Sequence, residues 1–287
     1  MRIPKSCLHI TVEAFRHFLA DDGWAIASHI ALSTLMALFP FLIVVTALAA
    51  LFFGSKDLAD EAAKLLLQAW PKEVAGPIAD DITGVLTNAH GSVLTFGAVF
   101  ALYFASSGVE SLRIGLNRAY DMTEARPWWM LRVESIVYVL VGAVAILAFS
   151  FLVVLAPVIW DRLVYYLPKL APFYGMVTLA RYGIAAAVLI IALVIVHLWL
   201  PAGRRSFMQI TPGIVVTLAL WLISGAVFGR YLASYAFAYV SMYAGLASAM
   251  VALIFLYLTA IILIYGGELN SVIGEARAKK RGGKRAR

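Results

Sequence analysis

Long apolar runs broken by short charged clusters set the pattern of this chain. The longest run closes it: Tyr243 to Asn270 reads YAGLASAMVALIFLYLTAIILIYGGELN, and no charged side chain occurs between Arg230 and Glu268. About 20 apolar residues suffice for a helix to cross a hydrocarbon core of roughly 30 Å. The same criterion predicts an all-α, polytopic membrane protein with six transmembrane helices, over about 24–53, 92–112, 135–160, 176–200, 210–236 and 243–269. They would form one membrane domain, 1–276, followed by a basic tail, 277–287.

Between these runs the period changes. From Ser6 to Ala20, Leu8, Val12, Phe15 and Leu19 share one helical face while Glu13, Arg16 and His17 fall elsewhere, which predicts an N-terminal interfacial helix ended by Asp21-Asp22-Gly23. Residues 56–90 mix Lys, Asp and Glu with Leu58, Leu65 and Leu66, then, past Pro71 and Pro77, Ile78, Ile82, Val85 and Leu86. That stretch is too polar to span and predicts an extracytoplasmic amphipathic helical hairpin. Pro40 stands mid-run in the first span, where it predicts a tilted or broken helix whose freed carbonyl must be satisfied inside protein. Pro212 opens the fifth span, where proline costs little. Gly225 and Gly229, and Gly245 and Ala249, offer small-residue steps for close helix approach.

Composition agrees with this class: 63% of residues are hydrophobic and 14% charged, with a mean hydropathy of +0.89. A net charge of +7 invites a nucleic-acid reading. Its distribution removes it. If six spans alternate from a cytoplasmic N-terminus, only Lys56, Lys64, Lys72, Arg162, Lys169, Arg181 and Arg230 of the 23 Lys and Arg residues fall on the outer side. The basic pI near 9.5 is then topology, with both termini in the cytoplasm. No signal-peptide core occurs within residues 1–22, so the first span is expected to insert the chain. Cys7 is the single cysteine, which excludes an internal disulfide.

Candidate chemistry sits at helix ends. Glu110, Arg113 and Asn117 recur at one face of the second span, and Glu268 and Asn270 close the sixth, so two acids approach the same leaflet. Ionisable groups within spans are costly and usually point into the bundle. These five residues are a candidate polar switch or transport site; alternatively the acids only tie helix ends together, Glu110 through Arg113 or Arg118. Arg181 and Arg230 are candidates for an anion site at the outer leaflet, or snorkel to the interface. His29 and His197 lack ligand-spaced companions and are expected to be satisfied locally. The basic tail is expected to hold anionic lipid. The five histidines form no HxH or HExxH cluster, and no phosphate-binding GxxxxGK[ST] loop or GxSxG elbow occurs. No catalytic residue, metal site or cofactor is predicted.

Several stretches together resemble the YihY/BrkB family of inner-membrane proteins, once called ribonuclease BN-like: ASHIALSTLMALFPF (27–41), GVESLRIGLNRAYD (108–121), Leu200-Pro201 followed by Pro212-Gly213, YLASYAFAYVSMYAGLASAM (231–250) and YGGELNSVI (265–273). The resemblance implies a bacterial inner-membrane protein of six spans concerned with the envelope, including movement of lipids or lipopolysaccharide precursors. It places motif positions at Pro40, Glu110, Asn117, Tyr243, Gly267, Glu268 and Asn270, with Glu110 standing where the family often has aspartate. The ribonuclease label belongs to an enzyme resembling zinc hydrolases, whose histidine cluster is absent from this sequence. The function expected is transporter-like, moving or gating a lipid, another amphiphile or a small anionic solute, with membrane lipids as partners. The rival expectation is an envelope scaffold recruiting partners through its outer hairpin and tail.

Overall fold

Apolar side chains that cannot be buried against one another decide the architecture. The computed structural model describes residues 5–53, 91–150, 156–243 and 247–285, and every regular element among them is helical. The helices are α1 (Lys5–Ala20), α2 (Gly23–Phe53), α3 (Gly91–Ala119), α4 (Trp128–Ser150), α5 (Ala156–Tyr166), a 3-10 segment (Pro168–Phe173), α6 (Tyr174–Leu198), α7 (Phe207–Tyr243) and α8 (Ala247–Arg285). Four stretches among the described residues are long and apolar enough to cross a membrane: Trp128–Ala148, Pro168–Leu198, Phe207–Leu232 and Ala249–Ala278. Leu179, Ile191, Leu222 and Val227 lie exposed on α6 and α7. Outward faces of this kind are stable in hydrocarbon and costly in water.

The predicted outer hairpin lies outside the described residues. Over the first predicted span the chain is helical as α2, of which Gly23–Leu38 counts as an apolar helix shorter than a full crossing, and the expected break at Pro40 is not an interruption, because the helix runs continuously through it from Gly23 to Phe53. A helix in hydrocarbon has no water to accept its broken ends, so it keeps its ladder and loses only the bond that a proline cannot donate. Of the span expected over 135–160, the described residues are helical as α4 to Ser150 and as α5 from Ala156, and 151–155 lie outside the described residues. The basic run is the end of the last helix: α8 continues to Arg285, and Arg277 Nη1 donates to the Met208 carbonyl at 3.0 Å.

The chain divides into two units. The first comprises residues 1–35, 108–131 and 193–287, and the second 36–107 and 132–192. In the second, Arg132 Nη1 donates to Ser106 Oγ at 2.8 Å and its guanidinium lies 4.1 Å from the Tyr103 ring centroid.

Within the first unit α7 pairs with α8, and α1 packs on α8. The α7–α8 crossing is set by glycine. A Cβ at Gly213 would run into the Gly266 carbonyl and the Asn270 amide, and one at Gly266 would strike the Thr217 hydroxyl. The small-residue step anticipated at Gly225 and Gly229 is not a contact, since nothing among the described residues lies within 4 Å of an added Cβ at either. Around the crossing, Leu193, Ile210, Ile214 and Leu263 form one buried cluster, and Ala14, Leu269 and Val272 join α1 to α8 in another. The face of α1 turned inward carries Ala14 and Phe18, which leaves the stripe of Leu8, Val12, Phe15 and Leu19 exposed. That geometry fits a helix lying in an interface: one sector grips protein and the next is free for lipid.

Gly213→Val is therefore expected to force α7 from α8 and destabilise the first unit by about 1–3 kcal/mol or more. Gly225→Val should be close to neutral. Thermal unfolding of the two detergent-solubilised variants checks this, and equal melting temperatures would count against the crossing.

Candidate functional site

Asn117 stands one turn before the end of α3, and the way that helix stops determines what it can reach. Asp121 adopts a left-handed conformation, φ 49°, while Met122 N bonds Asn117 O at 2.8 Å and Asp121 N bonds Arg118 O at 2.9 Å. This is a Schellman ending with aspartate in place of the usual glycine. It turns the chain back so that Glu124 meets the helix it has just left.

The Glu124 carboxylate accepts from Asn117 Nδ2 at 3.1 Å, from Arg126 Nε at 2.8 Å, from Arg126 Nη2 at 2.7 Å and from the Arg126 backbone N–H at 3.2 Å. The other end of the same amide, Asn117 Oδ1, accepts the backbone N–H of Ala202 at 2.6 Å. One side chain thus fastens two loops, 120–127 and 199–206. Arg126 adds a bond to the Leu200 carbonyl at 3.2 Å. The Arg126 fork, with help from Asn117, pulls the Glu124 carboxyl down to about 2.

Behind this clamp runs a second polar chain. His197, fully buried at the end of α6, takes part through Nδ1 in a 2.8 Å hydrogen bond with the Tyr120 hydroxyl. Asn270 Nδ2 donates to that hydroxyl at 3.1 Å, and Asn270 Oδ1 accepts the Gly213 N–H at 2.7 Å. Glycine at 213 lets this amide come against the second turn of α7, and Pro212 lies inside that helix, which begins at Phe207, rather than in its first turn as expected. Burial pushes the Tyr120 hydroxyl up to about 12, so it stays a proton-bearing link. Arg205 stacks its guanidinium 3.8 Å from the Tyr120 ring centroid and donates through Nη2 to the Ala202 carbonyl at 2.8 Å. Burial holds this guanidinium below the usual arginine value.

Two recesses open beside the hub. One, of about 670 Å³, is bounded by residues 123–126, by Leu198 and Trp199, and by 201–205; the other, of about 390 Å³, lies between Asp21, Ile26, Arg118 and Glu124.

The sequence-derived residues are distributed unevenly over this arrangement. Asn117 and Asn270 are its joints. Arg113, 2% exposed, donates to the Leu131 carbonyl at 3.1 Å and pairs with the half-buried Glu110 at 3.7 Å. Glu268 is 1% exposed, and among the described residues it makes no hydrogen bond or ion pair. No bond joins Glu110 to Glu268. Arg181 belongs to the second unit, where it lies 4.7 Å from the Tyr182 ring centroid; Arg230 is exposed in the first. Tyr120, Glu124, Arg126, His197 and Arg205 were missed as site residues. Tyr120 lies within the RAYD stretch and Arg205 just after Leu200-Pro201, so proximity to those motifs was the available signal. His29 bonds Ser111 at 3.4 Å, and His197 is buried and bonded to Tyr120 through Nδ1, with Nε2 buried and without a partner among the described residues. Among the described residues no three His, Cys, Asp or Glu side chains group to hold a metal.

These features define a helical membrane protein whose buried polar network lies where α3, α6, α7 and α8 meet. The chain belongs to the BrkB virulence factor family, whose model matches residues 14–287. It is 27% identical over 261 residues to a putative ribonuclease-like protein, YfkH, of Bacillus subtilis, covering 91% of this chain and 94% of that one. It is 25% identical over 279 residues to UPF0761 membrane protein RC1_0578 of Rhodospirillum centenum, covering 97% of this chain and 60% of that one. No solved structure matches.

The Glu124 clamp gives a pH-dependent prediction. Its folded carboxyl titrates near 2 against an ordinary 4.5, so its stabilisation is complete above about pH 4.5 and disappears as pH falls toward 2. Glu124→Gln is expected to melt below wild type at pH 7, with the gap closing between pH 4.5 and 2. A gap independent of pH would contradict the clamp.

Proposed function

We propose that this protein is a transporter-like protein of the bacterial inner membrane that moves or gates an amphiphile or small anionic solute, with Glu268 as its polar switch. The observation supporting this is the condition of Glu268. It sits within α8, on a stretch long enough to cross the membrane, 1% exposed, with no hydrogen bond or ion pair among the described residues. Burying a carboxyl in that state costs several kcal/mol, and hydrophobic residues of similar size would cost nothing. A group kept at such expense within a span is commonly one whose charge or hydrogen bonding changes during function. It lies two residues from Asn270, so any movement that gives Glu268 a partner pulls on the Tyr120 hydroxyl and the Gly213 N–H as well.

Glu110 has a different part. Its pairing with Arg113 and partial exposure suit a tie at the helix end, worth up to about 1 kcal/mol. Six spans with both ends cytoplasmic would direct the hub toward the cytoplasm, since Arg118, Arg126, Arg204, Arg205 and the α8 end then obey the positive-inside rule.

In a strain lacking the gene, Glu268→Gln is expected to abolish restoration of the envelope phenotype at wild-type membrane abundance, whereas Glu110→Gln should retain most of it. Full activity of Glu268→Gln would end the switch reading.

A further inference from the structure

The loop between α6 and α7 carries two adjacent arginines that topology alone does not explain. A positive-inside signal works from solvated side chains and asks nothing of their geometry. Arg205 is instead half-buried, stacked on Tyr120 and bonded to Ala202, and its Nη1 is sealed from solvent without a hydrogen-bond partner. A guanidinium nitrogen left that way costs free energy that an oxyanion would recover.

The surroundings are fixed in advance. Leu200 and Pro201 are buried, Asn117 holds the Ala202 N–H, Arg126 holds the Leu200 carbonyl, and Gly203 turns with φ 86°. A side chain at 203 would be strained and would strike Met122. The recess that Arg205 helps to line has a volume of about 670 Å³, with Arg204 exposed beside it and Leu198 and Trp199 on its apolar wall. Glu124 is the acid on the lining, and Arg126 already neutralises it. Among the described residues neither Arg204 nor Arg205, which line the recess, makes an ion pair.

We propose that this recess is a binding site for a phosphate group, held by Arg204 and Arg205, with Leu198 and Trp199 accommodating an apolar portion where the ligand has one. Two adjacent guanidinium groups match the charge and the several acceptor oxygens of a phosphate monoester. The group is carried equally by a lipid headgroup or by a free phosphate compound. The site names the class of anion in the function proposed above and rests on that reading for its role; its existence does not depend on Glu268.

The test uses the full chain in phosphatidylcholine nanodiscs. Phosphatidic acid incorporated into the discs is one probe, and inorganic phosphate and glycerol 3-phosphate are the others, with binding followed by native mass spectrometry and by displacement. Wild type is expected to retain at least one of these probes over phosphatidylcholine, and Arg204→Gln and Arg205→Gln to weaken it by about tenfold or more. Arg204→Gln serves because its side chain has no role in the Tyr120 stack, so lost binding there is not lost folding. Arg162→Gln, a basic residue of the second unit, should bind as wild type. Retention of phosphatidic acid alone identifies a lipid headgroup as the source, and displacement by the soluble probes identifies free phosphate. Glu268→Gln should bind normally, which separates failure of the switch from failure of the site. Absence of any preference for phosphate monoester or free phosphate over the phosphodiester of phosphatidylcholine, wild-type binding by both arginine variants, or an equal loss in Arg162→Gln would overturn the proposal.

Discussion

The amide of Asn117 is the joint on which the rest of the site depends. At the end of a membrane helix the chain must turn, and each turn leaves backbone groups that hydrocarbon cannot satisfy. Asn117 meets two such demands with one side chain, giving its N–H to Glu124 and its oxygen to Ala202. Because those partners lie on different loops, the amide also sets where Arg126 and Arg205 come to rest. An aspartate would lose the donor and put a second negative charge against Glu124. A leucine would lose both bonds and leave the Ala202 N–H without its acceptor, while Glu124 keeps its bonds from Arg126.

The second half of the hub is positioned by packing rather than by hydrogen bonds. Only because Gly213 and Gly266 lack side chains can α7 and α8 approach closely enough for Asn270 to reach the second turn of α7. Glu268, two residues from both Gly266 and Asn270, lies on another face of α8 and is 1% exposed, while Ala14, Leu269 and Val272 form the buried cluster that joins α1 to α8.

Much of the helical plan was legible because hydrocarbon imposes a length and an apolar composition that sequence displays directly. A helix was expected over Ser6–Ala20 and is found over Lys5–Ala20, ending at the two aspartates. Rotation of the helices was harder to read. The stripe of Leu8, Val12, Phe15 and Leu19 is the exposed sector of α1, while Ala14 and Phe18 make the protein contact, since in a membrane both lipid and protein favour apolar faces. The contact of Gly213 with Gly266 has no periodic signature. At the site, Asn117 and Asn270 were found from their faces and motifs. The partners of Asn117 and Tyr120 were not, because Ala202 and His197 lie far along the chain and are chosen by tertiary packing. Arg205 was taken as a topology charge, which accounts for its sign and not for its burial.

Whether Glu268 acts as a switch turns on whether its carboxyl changes protonation or bonding in the intact protein. Infrared difference spectroscopy of the full chain in lipid, recorded between acidic and alkaline pH, observes that group directly. The account predicts a carboxyl band that responds to pH in wild type and is missing from Glu268→Gln. Identical difference spectra for the two proteins across the pH range would contradict it.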